Sequence, residues 1–355
     1  MFPRRLVASR PVTQRYLLVA NATAQSGRAA RRIDEALRAM HARGMQVALC
    51  ETEPERRTIA KVRDCLDRGG VDVVVVLGGD GTFHEAATGI LEAREHVPLG
   101  MLPSGTANDQ GKSFGIQRGD TEKNLDVIQA GHLTQLDVGR LARLNHHGEV
   151  LDETLFFDSC GWGLQSDILA LRNRQREVVS ELPLVRELYR DQVVYFSASM
   201  AKLVESYVNP VKFRADVHAD GELHVLEGLT DLVITATPIY AGHWVLDRRA
   251  EPDDGRFELV PFKGRRDWAS KVLRDFAASP VWQEDLDLLG LEHSVGFSAS
   301  TFEIDLFRPE RVELRAQVDG EEWHGGDRYR VEVQPGRLPL ITPRDFVPPW
   351  RPDPR

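Results

Sequence analysis

The sequence predicts an α/β domain followed by an all-β domain, and two features of the 355-residue chain lead to this prediction. Over roughly the first 140 residues, apolar strand patterns alternate with helical patterns, which is typical of a parallel sheet covered by helices on both faces. After about Leu136 the pattern changes to strands separated by turn residues, which is typical of an antiparallel sandwich or barrel. We therefore expect an α/β domain over residues 13–138 and a β domain over residues 139–331.

Four strand patterns and three helix patterns alternate in the expected α/β domain. The apolar runs predict strands over 16–20, 45–52, 71–77 and 97–103, and helical spacing predicts helices over 28–43, 58–68 and 84–94. Ligands of open parallel sheets bind beyond the carboxyl ends of the strands. The loops that follow the four strands therefore predict a ligand site at one sheet edge; they read NATAQSG, ETEPE, GGDGT and PSGTAND.

The expected β domain consists of short strand patterns joined by turns. Asp220 with Gly221 and Asp319 with Gly320 are hairpin signals. Two helical stretches, at about 166–208 and 267–289, interrupt the strands. From Pro335 the tail is rich in proline, so we expect an irregular strap over about 332–350 that packs back on the α/β domain.

Composition narrows the classes of function. The formal net charge of −9 argues against a general nucleic-acid binder, which usually carries a basic excess. Cys50, Cys65 and Cys160 are far apart and form no CxxC or Cys/His pattern, so neither a zinc site nor a disulfide framework is expected. A reducing cytoplasmic compartment is the simplest expectation. The oligomeric state stays open, with a homodimer as one option.

Membrane contact, if it occurs, is expected to be peripheral. No apolar run in the sequence reaches the roughly 18 residues that a spanning helix needs. The apolar N-terminal stretch is too short, and too interrupted by Arg15, for a signal peptide. The basic run 172–176 is a candidate contact for anionic headgroups, although a solvated helix face is the simpler interpretation.

The loop GGDGT, residues 78–82, has two interpretations. Its glycines let backbone amides approach a phosphate, and a helix N-terminus follows. Asp80 would repel a phosphate unless a cation lies between them, and Mg²⁺ is the usual cation. A plain strand-to-helix turn explains the glycines equally well, because short glycine motifs are weak signals.

A second loop, LPSGTANDQGKSFGI, also follows a strand and precedes a helical pattern. Ser104 and Thr106 offer hydroxyl donors, Gly105 allows a tight turn, and Asp109 places a second carboxylate at the same sheet edge. The stretch GTANDQGKS has five residues between its glycines where a P-loop has four, so we reject the P-loop interpretation. Lys112 is then most simply a solvated helix residue.

Three further candidates are ambiguous on their own. Asp137 in QLDVGRL is compatible with an ordinary turn at a strand end, and Glu321 in QVDGEEW with a solvent-facing strand residue. The similar stretch HADGEL, which contains Asp220, shows how common that turn is. His84 and His243 stand alone and are more simply surface or packing residues than bases.

Together the motifs resemble those of the diacylglycerol kinase catalytic-domain family, which includes soluble bacterial lipid kinases and sphingosine kinases. GGDGTFHEAATG, GMLPSGTANDQGKSFGI, LDVGR and VDGE occur in the order of that family, over roughly 16–341. NAD kinases and phosphofructokinases share GGDGT but lack the second loop. The resemblance implies an NAD kinase-like three-layer α/β nucleotide domain joined to a β-sandwich domain, with the active site between them.

The resemblance also implies roles for individual residues. The phosphates of ATP would be lined by two loops and their neighbours: residues 78–82, His84, Glu85, Ser104, Gly105, Thr106 and Thr52. Asp80, Asp109 and Asp137 would hold a catalytic Mg²⁺ through water, and Glu321 would be the general base. EPDDGRFEL resembles a loop for a structural Mg²⁺, with Asp254 as the side-chain ligand and backbone carbonyls near Glu251 and Arg256. The range 78–82, which the resemblance implies for phosphate binding, consists of Gly78, Gly79, Asp80, Gly81 and Thr82.

Four stretches depart from the family pattern. The first loop is longer than the usual Asn-Pro-x-Ser-Gly, and Gln110 with Gly111 replaces an aromatic–small pair. Asp158 and Thr237 stand where asparagines are expected. Asp158 and Thr237 lie nearer the side of the site where the acceptor is expected. The motifs therefore identify the nucleotide better than they identify the acceptor lipid.

The leading hypothesis is an ATP- and Mg²⁺-dependent lipid kinase that acts at a membrane surface, with diacylglycerol as the default acceptor. A kinase of a soluble acceptor such as NAD or a sugar is the first alternative. A non-catalytic nucleotide-binding regulator is the second, and it is motivated by Asp158 and Thr237.

Overall fold

A computed structural model describes residues 14–21, 28–105, 107–163, 166, 212–240, 244–247, 249–264, 296–309 and 314–348. The expected helical stretches at 166–208 and 267–289, and the basic run 172–176, lie almost entirely outside these residues. No helix in the described ranges is long and apolar enough to cross a membrane.

The first part of the chain alternates strands and helices as predicted. The elements are β1 (Arg15–Ala20), α1 (Arg28–Ala42), β2 (Gln46–Glu51), α2 (Arg57–Asp67), β3 (Val73–Gly78), α3 (Asp80–Glu92), β4 (Leu99–Pro103), α4 (Asp109–Ser113) and α5 (Thr121–Ala130). Strands β2, β1, β3 and β4 are parallel neighbours in that order. The apolar runs of β1, β3 and β4 are buried by helices on both faces, which is why they lack an alternating pattern, whereas the edge strand β2 is mostly exposed.

The rest of the described chain is built from strands. They are β5 (Leu133–Leu144), β6 (Val150–Phe156), β7 (Ser159–Gly163), β8 (Phe213–Ala219), β9 (Glu222–Leu229), β10 (Asp231–Thr235), β11 (Ile239–Tyr240), β12 (Trp244–Val245), β13 (Phe257–Phe262), β14 (Phe297–Ala299), β15 (Thr301–Phe307), β16 (Ala316–Val318), β17 (Glu321–Trp323) and β18 (Arg328–Ile341). The predicted combination of a parallel α/β sheet with an antiparallel β part is confirmed.

Two long strands, β5 and β18, carry one ten-stranded sheet through both parts of the molecule. The sheet runs β2-β1-β3-β4-β18-β15-β8-β9, and β5 pairs with β18 and β6 beside this path. A second sheet, β14-β13-β10-β7-β16-β17, packs against its antiparallel half around a core that contains Trp162, Phe257 and Tyr329. The expected boundary between residues 138 and 139 falls inside β5.

The tail does not form the irregular segment expected from Pro335. Strand β18 continues to Ile341, pairs with β5 and touches β4 in parallel at Leu340. The prediction was wrong because Pro335 coincides with a register shift between Gln334 and Leu338, where the ladder is already interrupted. Beyond the shift, burial of Leu338 and Leu340 holds the strand in the sheet.

Candidate active site

The two glycine-containing loops pack against each other at the carboxyl ends of β3 and β4. The amide of Ser104 donates to the carbonyl of Gly78 at 2.7 Å. A Cβ on Gly105 would lie 2.5 Å from the Cα of Gly79, so only glycines allow this approach. Helix α3 begins at Asp80, four residues before the predicted start at 84, and Gly79 is its N-cap. The backbone of GGDGT therefore forms the N-terminus of α3 itself.

Asn108 connects the second loop to the first. Its residue adopts a left-handed φ of 53°, and its side chain is buried. The side-chain oxygen accepts from the amide of Gly105 at 2.9 Å, and the side-chain nitrogen donates to the Gly105 carbonyl at 2.8 Å. The Asn108 amide donates to Oδ2 of Asp80 at 2.9 Å. Burial raises the pKa of Asp80, although hydrogen bonds from backbone amides oppose that shift.

A cavity of about 730 Å³ opens beside these loops. It lies between the start of α3, the segment that follows β2, and the β16–β17 turn. A smaller cavity of about 130 Å³ shares Asn21, Gly79 and Thr82 with it and reaches Arg32 on α1. The predicted site residues on the larger cavity are Thr52, Gly79, Gly81, Thr82, His84, Glu85 and Glu321, and those on the smaller one are Gly78, Gly79, Thr82, Ser104 and Gly105. Thr106 lies outside the described residues.

Glu321 is brought to this cavity by the turn between β16 and β17. It is the first residue of β17 and is exposed. Asp319, two residues earlier, has a left-handed φ of 47° and a side chain that is 5% exposed. The Asp319 carboxylate accepts from the amides of Phe157, Asp158 and Ser159 at 2.8–3.1 Å. This turn is therefore fastened to the loop between β6 and β7.

His84 bridges the α/β part of the molecule to the same turn. Its Nδ1 lies 2.6 Å from Oδ2 of Asp319, and its Nε2 faces Nη2 of Arg56 at 2.5 Å. Arginine has no acceptor, so Nε2 must accept from Arg56 and the ring proton must be on Nδ1. The side chain is 9% exposed, and its ring packs edge-on against Phe157. His84 is thus a buried connecting residue as well as part of the cavity wall.

Asp158 and Thr237, the two residues that depart from the family pattern, contact each other. The Thr237 hydroxyl donates to Oδ1 of Asp158 at 2.6 Å, and the Ser159 hydroxyl donates to Oδ2 at 3.2 Å. Burial raises the pKa of Asp158 well above its ordinary value, and the nearby carboxylates of Asp109 and Asp319 raise it further. Asp109 is itself buried.

Asp137 lies beside the 251–256 loop and strand β18. Its carboxylate accepts from the amide of Gly255 at 2.5 Å and from that of Gly336 at 2.6 Å. Burial raises its pKa, and the charged neighbours that contribute are Asp253 and Asp254. Asp137 thus contacts the 251–256 loop of the expected structural metal site, whereas Asp80 contacts the second glycine loop.

The expected structural metal site has one expected side-chain ligand, Asp254. Asp254 is exposed, and its Oδ1 accepts from the amide of Arg256 at 2.9 Å. The other expected ligands, at Glu251 and Arg256, are backbone carbonyls. Across the described part of the chain, no three His, Cys, Asp or Glu side chains are grouped so that they could hold a metal ion.

Several residues with contacts at the site were missed by the sequence reasoning. Arg56 and Arg32 line the two cavities, Asn108 closes the second loop, and Asp319 holds the turn of Glu321. Arg56 had a usable signal, because it lies in the charged loop that directly follows β2. For Asp319 the sequence offered only the hairpin signal, because its hydrogen-bond partners are 160 to 235 residues away in the chain.

Part of the chain is similar in sequence to known kinases. Residues 15–141 match the family model of the diacylglycerol kinase catalytic domain. A diacylglycerol kinase from Staphylococcus saprophyticus is 40% identical over 70 residues, which are 20% of this chain and 23% of the relative. One from Mycobacterium tuberculosis is 27% identical over 207 residues, which are 58% of this chain and 59% of the relative. The alignments thus span less than two thirds of either relative.

Solved structures share the fold. A diacylglycerol kinase from Bacillus anthracis superposes with a TM-score of 0.66 at 17% identity, covering 95% of this chain and all of the other (100%). A yeast NADH kinase complexed with NADH superposes with a TM-score of 0.50 at 11% identity, covering 92% of this chain and 82% of the other. At these identities the superpositions show the fold alone, and this fold occurs in kinases of different acceptors.

Proposed function

We propose that the chain is an ATP- and Mg²⁺-dependent lipid kinase, because residues 15–141 match the family model of the diacylglycerol kinase catalytic domain. It would transfer the γ-phosphate of ATP to a lipid hydroxyl, with diacylglycerol as the default acceptor. The observation that carries the proposal is that one cavity is bordered by both the N-terminus of α3 and the carboxylate of Glu321.

The N-terminus of α3 supports a phosphate position in the cavity. The first amides of a helix have no partner within the helix and lie at the positive end of its dipole. Gly81 and Thr82 are in this first turn and line the cavity. Arg56 and Arg32 add positive charge at the walls of the two cavities. Phosphoryl transfer depends mainly on such positioning and charge neutralisation.

The acidic residues fit a Mg²⁺ that is shared with the nucleotide. Magnesium in kinases keeps several waters and is usually held by one or two carboxylates together with substrate phosphates. Asp80 and Asp109 are the carboxylates that would hold it, and the ion would neutralise charge on the phosphates. Such an arrangement does not need three protein ligands, so it is compatible with the absence of a three-residue cluster among the described residues.

Glu321 is suited to accept the proton of the attacking hydroxyl. It lines the same cavity as Thr82, on a turn that Asp319 fastens to the 157–159 loop. A carboxylate base of this kind typically contributes about 10²–10⁴-fold to the rate. Its exposure leaves it accessible to an acceptor.

A phosphotransfer assay tests the proposal. The protein is incubated with radiolabelled ATP and a panel of lipids in mixed micelles, with Mg²⁺ or with EDTA. We expect Mg²⁺-dependent label in a lipid product. Transfer only to NAD or a sugar would replace the lipid with a soluble acceptor. Thermal stabilisation by ATP without ADP formation from any acceptor would instead indicate a regulator.

Glu321→Gln tests the base. We expect kcat to fall by about 10²–10⁴-fold with little change in the KM for ATP. The matched control is Glu222→Gln, because Asp220, Gly221 and Glu222 repeat the Asp-Gly-Glu turn on the β8–β9 hairpin. Full activity of Glu321→Gln would remove this residue from the base role.

A further inference from the structure

We infer that the hydrogen bond between His84 and Asp319 is a positioning contact, which sets the place of Glu321 relative to the N-terminus of α3. The inference rests on the proposed function and extends it to two residues that act through the base. In this inference, neither His84 nor Asp319 needs to touch the acceptor.

The contact joins the two sides of the cavity. His84 is the fifth residue of α3, whose first turn would bind the phosphates, and Asp319 precedes Glu321 by two residues. The two partners are 235 residues apart in sequence and 2.6 Å apart in space. A hydrogen bond to a carboxylate is strong for a neutral donor, and this one is almost fully buried.

The donor and acceptor roles of the two ring nitrogens follow from their partners. Arg56 offers only donors to Nε2, so the proton stays on Nδ1 and is donated to Asp319. Phe157 holds the ring plane edge-on at a centroid distance of 5.5 Å. The backbone amide of Phe157 also donates to Asp319. Phe157 therefore contacts both the His84 ring and the turn that carries Glu321.

A second Asp-Gly turn in the same chain shows that the histidine is not needed to form such a turn. Asp220 has a left-handed φ of 49°, similar to the 47° of Asp319. Its carboxylate accepts from the amides of Ser300 and Thr301 and from the Ser300 hydroxyl at 2.7–3.0 Å. Arg256 Nη2 also donates to Oδ2 of Asp220 at 3.2 Å, so this Asp-Gly turn is held by backbone amides, a hydroxyl and an arginine, without a histidine. The bond to His84 is additional, and it links Glu321 to α3.

Two amide substitutions at His84 separate the roles of its nitrogens. Asparagine places an N–H near the position of Nδ1, whereas glutamine reaches toward the position of Nε2. We expect His84→Gln to lower kcat by about 10²-fold, the loss typical of a displaced catalytic group, and His84→Asn, which keeps a donor near the Nδ1 position, to lower kcat about tenfold less than His84→Gln does. The KM for ATP should change little in both. A raised KM with unchanged kcat would show that His84 contacts the nucleotide, and would overturn the inference.

A double-mutant cycle with Glu321→Gln tests whether the effect passes through the base. If His84 acts by positioning Glu321, His84→Gln should cause no further loss of kcat in the Glu321→Gln background. A further loss of about 10²-fold would show that His84 acts independently, and would also overturn the inference.

Amide hydrogen exchange over residues 316–323 tests the contact without relying on turnover. Exchange should rise in His84→Gln and in Asp319→Asn but stay near that of the unsubstituted protein in His84→Asn. Asp220→Asn is the matched control: it should raise exchange in its own turn only. Unchanged exchange in His84→Gln would overturn the inference. If the unsubstituted protein phosphorylates no acceptor, the proposed function fails, while the exchange measurement still decides whether His84 holds the turn.

Discussion

At the scale of single residues, the glycines of GGDGT have different roles. A Cβ on Gly78 would lie 2.5 Å from the Cβ of Thr82, and one on Gly79 would lie 3.0 Å from the Cα of Gly105. A Cβ on Gly81 would meet nothing within 4 Å. Gly78 and Gly79 are therefore required by packing within the protein, whereas Gly81 leaves room in the cavity.

This difference leads to a prediction for two alanine substitutions. Gly78→Ala should lower the free energy of unfolding by about 1–3 kcal/mol, because the new methyl group overlaps Thr82. Gly81→Ala should leave the melting temperature nearly unchanged but weaken ATP binding, since its methyl group enters the cavity. Thermal denaturation and calorimetric titration with ATP measure the two effects. Unaltered ATP affinity in Gly81→Ala would show that the nucleotide does not approach this amide.

Asp158 and Thr237 illustrate a different point at the same scale. Each departs from the family pattern, and the structure shows that one hydroxyl-to-carboxylate bond of 2.6 Å joins them. The two departures therefore form one altered pair next to the Asp319 turn rather than two independent losses. This pairing weakens the sequence argument for a non-catalytic regulator.

At the scale of elements, Asp137 on β5 connects this strand to β18 and to the 251–256 loop through hydrogen bonds. The side chain is only 1% exposed and accepts from the amides of Gly255 and Gly336. Gly336 has a φ of 58° at the register shift of β18, so Asp137 stabilises the irregular point of that strand. These contacts explain in structural terms why position 137 carries a carboxylate, because both amides need an acceptor.

Asp137→Ala should therefore destabilise the protein. We expect a loss of about 2–3 kcal/mol in the free energy of unfolding, because two buried amides lose their acceptor. Denaturation in urea with EDTA present separates this loss from any effect of a metal. Asp254→Ala, which removes an exposed carboxylate of the neighbouring loop, is the comparison variant and should be nearly neutral in EDTA. A loss that disappears in EDTA would place Asp137 in a metal site instead.

At the scale of the whole molecule, buried carboxyl groups make stability depend on pH. Burial is the largest cause of raised pKa values at Asp80, Asp137, Asp158 and Glu258. For Glu258, burial together with Asp247 and Asp254 raises the pKa to about 8. A carboxyl with a raised pKa in the folded state stabilises fully below its unfolded pKa, and this stabilisation is lost as the pH rises through the folded value.

The protein without nucleotide should therefore lose stability between about pH 4.5 and pH 8, in part through Glu258. Glu258→Gln should flatten this part of the profile and raise the melting temperature at pH 8 by a few degrees. Melting curves across this range measure the effect, with Glu222→Gln as the exposed control. Parallel profiles for Glu258→Gln and the unsubstituted protein would contradict the assignment.

The sequence predicted the order of strands and helices in the α/β part and the sheet edge where the glycine loops lie. It missed the strand beyond Pro335 and the start of α3 at Asp80. A proline in a tail is a local signal for irregular structure, but the burial of Leu338 and Leu340 against distant strands outweighed it. A local sequence pattern reports only the local conformational preference. In the tail, strand pairing with distant segments outweighed that preference.

What the sequence determined by itself was the fold class and the residue types for phosphate chemistry, because strand periodicity and glycine loops are encoded within short windows. Tertiary structure alone decided which of these residues meet. Asp80 contacts Asn108, Asp137 contacts the 251–256 loop, and His84 contacts Asp319 across 235 residues. Such contacts depend on how β5, β18 and the two sheets cross in space, and contacts between distant segments leave no periodic signal along the chain.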